Sequence, residues 1–190
     1  MKHLVFPALL LPALFSGPAL SAPETYVVDP THTLPRFAYT HMGYSSQQSR
    51  FDKTSGVIVL DRAAKVGSVN IDIDASSVDT GVAMLNDNLK GADFFDADNY
   101  PVITFIAPHF AFDETAFKVI EGELTIKGIT RPVTLTVQSF LCSPHPRLKK
   151  DACGATATAV IKRSDFNLNK FVPLVGDEVV LTIPVEAISQ

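Results

Sequence analysis

Basic residues, cysteines and catalytic signatures are all scarce in this sequence. Sixteen Lys and Arg against twenty Asp and Glu leave a formal net charge of −4. The basic residues gather tightly only at Arg147, Lys149 and Lys150, which read as a solvated loop. This is not the cationic footprint of a nucleic-acid-binding chain, and no nucleic-acid partner is expected. Two cysteines with no Cys-x-x-Cys between them argue against a dithiol redox enzyme and are a weak metal signal. G-x-S-x-G, H-E-x-x-H, P-loop and G-x-G-x-x-G are missing, and with them the common signatures of acyl transfer, metal-assisted proteolysis and nucleotide binding. His32, His41, His109 and His145 match no metal-site spacing, and Asp72, Asp74 and Asp79 read as solvated surface. No catalytic residue, metal or cofactor is therefore expected. Nor is any apolar run long enough for a transmembrane helix.

What is present begins with Lys2, an apolar run from Leu4 to Phe15 broken by Pro7 and Pro12, and small residues through Ala19-Leu20-Ser21-Ala22. That is the pattern of a secretory signal peptide over residues 1–21, cut after Ser21. Residues 22–190 then form a single domain, long enough to bury a sizeable core. In a secreted chain an even cysteine count reads as a disulfide, here Cys142 with Cys153, flanking a Pro- and Lys-rich loop between two strand-like runs.

The stretch from Val69 to Phe105 organises the rest. Val69, Ile71 and Ile73 alternate with Asn70, Asp72 and Asp74, the period of a half-buried strand. Val82, Leu85 and Leu89 then recur at helical spacing, with Ser77 or Asp79 as candidate N-cap and Gly91 as C-cap. A second strand follows Pro101 at Val102 to Ile106. The other expected strands are Tyr26 to Asp29, Arg36 to His41, Gly56 to Asp61, Phe117 to Ile126, Val133 to Leu141, Ala155 to Ile161 and Val179 to Ala187. Turns are expected at Lys127-Gly128 and Val175-Gly176-Asp177. Eight or nine antiparallel strands with one short helix favour an all-β barrel, which has no exposed edges; a β-sandwich is the alternative. A lone helix must lay its stripe on the sheet or over the open end of the barrel.

The segments YVVDPTHT, F-x-Y-x-H, GVIVLD, SSVDTG, LKGADFFD, NYPVITF, EGELTIKGITRPVTLTV, KRSDFNL and VGDEVVLTIPVEA, spanning about Tyr26 to Ala187, resemble the YceI-like family of polyisoprenoid-binding proteins. The resemblance implies a lipocalin-like antiparallel barrel of about eight strands, located in the periplasm and often dimeric. It also implies an isoprenoid lipid or quinone as ligand, with a transient membrane or membrane-protein contact as a further partner. Two positions depart from the family pattern: Asn167 stands where many relatives have glycine, and Asn88 where a histidine is expected. The cysteine pair is not general to the family.

Energetics lead to the same ligand class. Burying ten methylenes contributes about 8 kcal/mol before costs, close to micromolar affinity, so no elaborate polar site is required. The candidate ligand-binding residues are Phe37, Tyr39, Phe51, Leu85, Leu89, Phe94 and Phe105, with Ala157 on a small-residue strand, Ala155 to Ala159, that would leave room. His41 is either a hydrogen-bonded structural histidine at a strand end or an imidazole on the inner face that orients a ligand's polar head. A carrier or store for an isoprenoid lipid is the leading reading. An enzyme acting on such a lipid and a structural sandwich with a packed core are the alternatives.

Overall fold

The computed structural model describes residues 22–113 and 119–190. The expected signal peptide, residues 1–21, and the first residues of the strand expected from Phe117 lie outside them. The strands are β1 (Glu24–Val28), β2 (Arg36–His41), β3 (Ser45–Phe51), β4 (Thr54–Asp61), β5 (Val66–Asp74), β6 (Val78–Asp79), β7 (Val102–Ala111), β8 (Val119–Ile126), β9 (Ile129–Pro144), β10 (Asp151–Lys162) and β11 (Val175–Ser189). Helix α1 spans Ala83–Lys90, between β6 and β7. Among the described residues no helix is long and apolar enough to cross a membrane.

Strands β1, β4, β5, β7, β8, β9, β10 and β11 pair antiparallel in that order, and β1 pairs back onto β11, so eight strands close a barrel. Closure overturns the sandwich alternative. Strand β11 is long enough to pair with β1 near its end, Tyr26 opposite Ser189, and with β2 along its first half, Leu181 opposite Phe37. Strands β2, β3 and β6 extend the sheet from there.

The two ends of the barrel differ because their side chains differ. At one end Tyr26, Leu60, Phe110 and Phe112 are buried, and Phe112 meets Phe110 at 6.2 Å and Phe140 at 6.0 Å between ring centroids. Aromatic packing of this kind makes a floor. The disulfide between Cys142 and Cys153 joins directly opposed residues of β9 and β10, as the secreted-chain argument expects. With a sequence separation of 11, its removal through Cys142→Ser with Cys153→Ser should cost at most about 3 kcal/mol in urea unfolding. A clearly larger loss would mean that the bridge restrains more than its own hairpin.

At the other end the β8–β9 hairpin turns through Lys127 and Gly128, both with positive φ, as the Lys-Gly pair predicts. A Cβ on Gly128 would sit 2.7 Å from the Tyr100 ring, so the left-handed backbone and the packing both require glycine. Three expectations need correction, and one strand was not anticipated. Val175-Gly176-Asp177 is the irregular start of β11, with a register shift against β2 between Val175 and Val179, rather than a turn. Strand β3, Ser45–Phe51, escaped the sequence reading because its SSQQSRF buries only Ser49 and Phe51. The helix is capped by the backbone of Val82 and by neither Ser77 nor Asp79. Asp79 and Asp74 are more than solvated carboxylates: Asp79 accepts from Gly81 N and Asn86 Nδ2, and Asp74 caps a 3-10 turn over Ala75–Ser77.

Candidate functional site

A cavity of about 930 Å³ occupies the barrel between the floor and α1, near the upper end of the range for small-molecule sites. Its wall follows from the strand period. Every lining residue from β4, β5, β7, β8, β9, β10 and β11 is aliphatic or phenylalanine, among them Ile71, Phe105, Leu124, Leu135 and Leu181. Alternation sends the polar partners of these residues to the outside. Strand β10 contributes mainly small residues: Ala155 and Ala157 line the cavity, while Ala159 is buried without lining it. The space those short side chains leave is part of the cavity volume.

The structure brings Phe37, Tyr39, His41, Phe51, Leu85, Leu89, Phe94, Phe105 and Ala157 together on this one cavity. They sit at different depths. Phe51, Phe105 and Ala157 are buried, whereas Leu85 is 41 % exposed and His41 lies at the rim, where β2 ends. Phe37 and Phe51 join Phe95 in a cluster with centroid separations of 5.3 to 6.0 Å. Helix α1 has no buried residue, and only Leu85 and Leu89 of its expected stripe face the cavity; Val82 is the N-cap. The helix therefore rests across the mouth, touching the core only through the partly buried Leu89. Asn88, in place of the expected histidine, also lines the cavity, as do Asp87, Gln47 and His41.

The opposite lip of the mouth, residues 167–174, escaped the sequence reading. Lys170 forms an ion pair with Asp93, and Phe171 meets Phe94 at 6.4 Å between centroids, so this lip touches the segment that follows α1. The lip is anchored by Arg163. Its guanidinium donates to the carbonyls of Gly176 and Val175, each at 2.8 Å, and to that of Leu168. Burial lowers the Arg163 pKa from its ordinary value, with Asp177 and Tyr39 opposing. Asp177 in turn accepts from the amide and hydroxyl of Ser164. Asn167 adopts φ 58°, a left-handed conformation that asparagine tolerates better than most residues.

His32 lies elsewhere. It forms a surface cluster with Asp29 and Glu186, their ligating atoms within 4.8 Å of one another, and none of the three lines the cavity. Partial burial pushes the Asp29 pKa up, but hydrogen bonds from His32 and Thr31 outweigh it and hold the carboxyl at about 2. The hydrogen bond to Asp29 raises His32 above its ordinary value.

A closed antiparallel barrel with an apolar interior and one helix across its mouth defines a lipocalin-like barrel. The profile of the YceI-like domain matches residues 26–187, and the chain belongs to that family. Protein YceI of Shigella flexneri is 32% identical over 188 residues, covering 98% of this chain and 96% of the relative. Among solved structures, Burkholderia cenocepacia BcnA superposes with a TM-score of 0.71 at 29% identity, covering 84% of this chain and 99% of that one. A polyisoprenoid binding domain from Saccharophagus degradans, implicated in plant cell wall breakdown, shares the fold with a TM-score of 0.63 at 18% identity, covering 87% and 98%.

Proposed function

We propose that this protein holds the tail of an isoprenoid lipid or quinone inside its barrel, in the periplasm, for transport or storage. The observation that carries the reading is the distribution of polarity: the barrel strands line the cavity with aliphatic and phenylalanine side chains alone, while the polar lining residues, among them Arg36, His41, Gln47, Asn88 and Arg163, come from β2, β3, α1 and the loops. That arrangement suits a long apolar chain with a polar head at the rim. Such a wall offers an isoprenoid neither nucleophile nor base, which supports binding over catalysis. The polyisoprenoid-binding description of the Saccharophagus domain supports the ligand class. The signal-like N-terminus and the disulfide support the compartment.

Titrating delipidated protein with an isoprenoid quinone in detergent tests this reading. Saturable one-to-one binding that strengthens with tail length is expected, and binding indifferent to tail length would refute it. The mouth should also gate exchange. Cross-linking Asp93→Cys to Lys170→Cys with a short thiol reagent is selective, because the native cysteines are bonded to each other. Ligand exchange should slow by about tenfold or more, since segments at a mouth must part for entry. Exchange at the unmodified rate would place entry elsewhere.

A further inference from the structure

The barrel mouth carries an apolar collar that neither fold nor cavity requires. Tyr44 is 87%, Met84 68%, Leu174 62%, Phe171 56% and Met42 51% exposed, on three separate segments. Met42 and Tyr44 form the β2–β3 tip, Met84 lies in the first turn of α1, and Phe171 and Leu174 belong to the opposite lip. The first and third of these segments are joined, and the third reaches the stretch that follows α1. Met42 N donates to the Leu174 carbonyl at 2.8 Å, and Phe171 lies against Phe94 just beyond α1. The collar is also continuous with the cavity, because Phe171 lines it. Contiguous exposed apolar surface of this kind marks an interaction site, unlike valines scattered along a barrel wall.

We propose that the collar is a docking surface for the lipid bilayer, seating the mouth on the membrane while the ligand passes between bilayer and barrel. This rests on the reading that the cavity holds an isoprenoid lipid. An isoprenoid tail leaving the barrel through water would expose its whole apolar length, whereas a mouth pressed into the headgroup region keeps the tail out of water throughout. A bilayer both covers the collar and supplies the ligand. Charge sets the mode of docking. Lys170 faces Asp93, Lys90 faces Asp87, and Arg50 faces Asp52 and Asp79, so these cations are matched by carboxylates, while Lys127 at the β8–β9 turn donates to the Ala92 carbonyl. The mouth thus suits insertion of apolar and aromatic side chains into a zwitterionic surface, with Tyr44 at headgroup level, and not attraction to anionic lipid.

The test is co-flotation of the full mature protein with phosphatidylcholine vesicles at low and high salt. It is run beside a Tyr44→Asp, Met84→Asp, Leu174→Asp variant, whose positions are exposed and do not line the cavity. Wild type should float reversibly, no less at high salt, and the variant should lose about tenfold or more of its partitioning as its inserted apolar area is removed. Quinone binding in detergent, without vesicles, should be the same for both. Equal flotation of the two proteins, no flotation of wild type, or flotation abolished by salt would each overturn the proposal. So would a wild-type dimer in sedimentation velocity that the variant converts to monomer, because the collar would then belong to a second copy. Failure of quinone binding in detergent would instead overturn the ligand reading, whatever the vesicles do.

Discussion

Replacing Arg163 by alanine is expected to destabilise the protein by roughly 3–5 kcal/mol, what stranding its three carbonyl acceptors would cost. Arg163 is only 9% exposed, and it satisfies the carbonyls of Leu168, Val175 and Gly176 on both sides of the 167–174 lip. Without it these acceptors lose their donor, and each one left buried and unsatisfied costs about 1–3 kcal/mol. The larger part of the loss should therefore come from the stranded carbonyls. Arg163→Lys retains charge but not the planar fork, and one ammonium cannot serve three divergent carbonyls equally well. It should recover only part of the stability. Urea unfolding of the lipid-free protein measures both. A loss below about 1 kcal/mol for alanine would mean that water replaces the guanidinium at little cost.

The second large effect concerns space. Ala157→Phe should cut isoprenoid occupancy by about tenfold or more, because a ring that displaces even two ligand methylenes forfeits about 1.6 kcal/mol of burial. Ala157 is 6% exposed, lies opposite Val137 on β9, and lines the cavity, so the added ring projects into open volume. Folding stability of the lipid-free protein should change little. In a filled core the same substitution would overpack and cost about 1–3 kcal/mol. Thermal melting and lipid content from one preparation separate the two outcomes, and a large loss of stability without ligand would refute retained volume.

The strands were legible where one face is buried: Val69, Ile71 and Ile73 alternate with polar residues, and β5 carries the same alternation in three dimensions. Strand β3 was hidden because an extension pairing at the seam needs backbone partners more than apolar side chains, and Ser45 to Ser49 supply only the former. The cysteine pair was readable because its partners flank one hairpin, so the long-range contact is also a local one. Phe105 and Ala157 could be placed on a cavity because inward-facing side chains of barrel strands converge when a barrel closes, whereas Phe37 and Phe51 reach it from β2 and β3, and Leu85 and Leu89 from α1. The opposite lip had no such signal. Lys170 meets Asp93 across 77 residues of sequence, and Arg163 binds backbone carbonyls whose identity no side chain reports. The helix was recognised by period and Gly91 is its C-cap as expected, but its N-cap is Val82, whose backbone carbonyl accepts from Leu85 N and Asn86 N and which a search for a capping side chain overlooks.

Native mass spectrometry of the protein, purified without detergent, tests the central claim most directly. The account predicts a bound species that leaves on extraction into organic solvent and fragments as an isoprenoid chain, at up to one per barrel. A barrel that emerges at the bare mass of its polypeptide, and stays so after incubation with isoprenoid quinone, would contradict it.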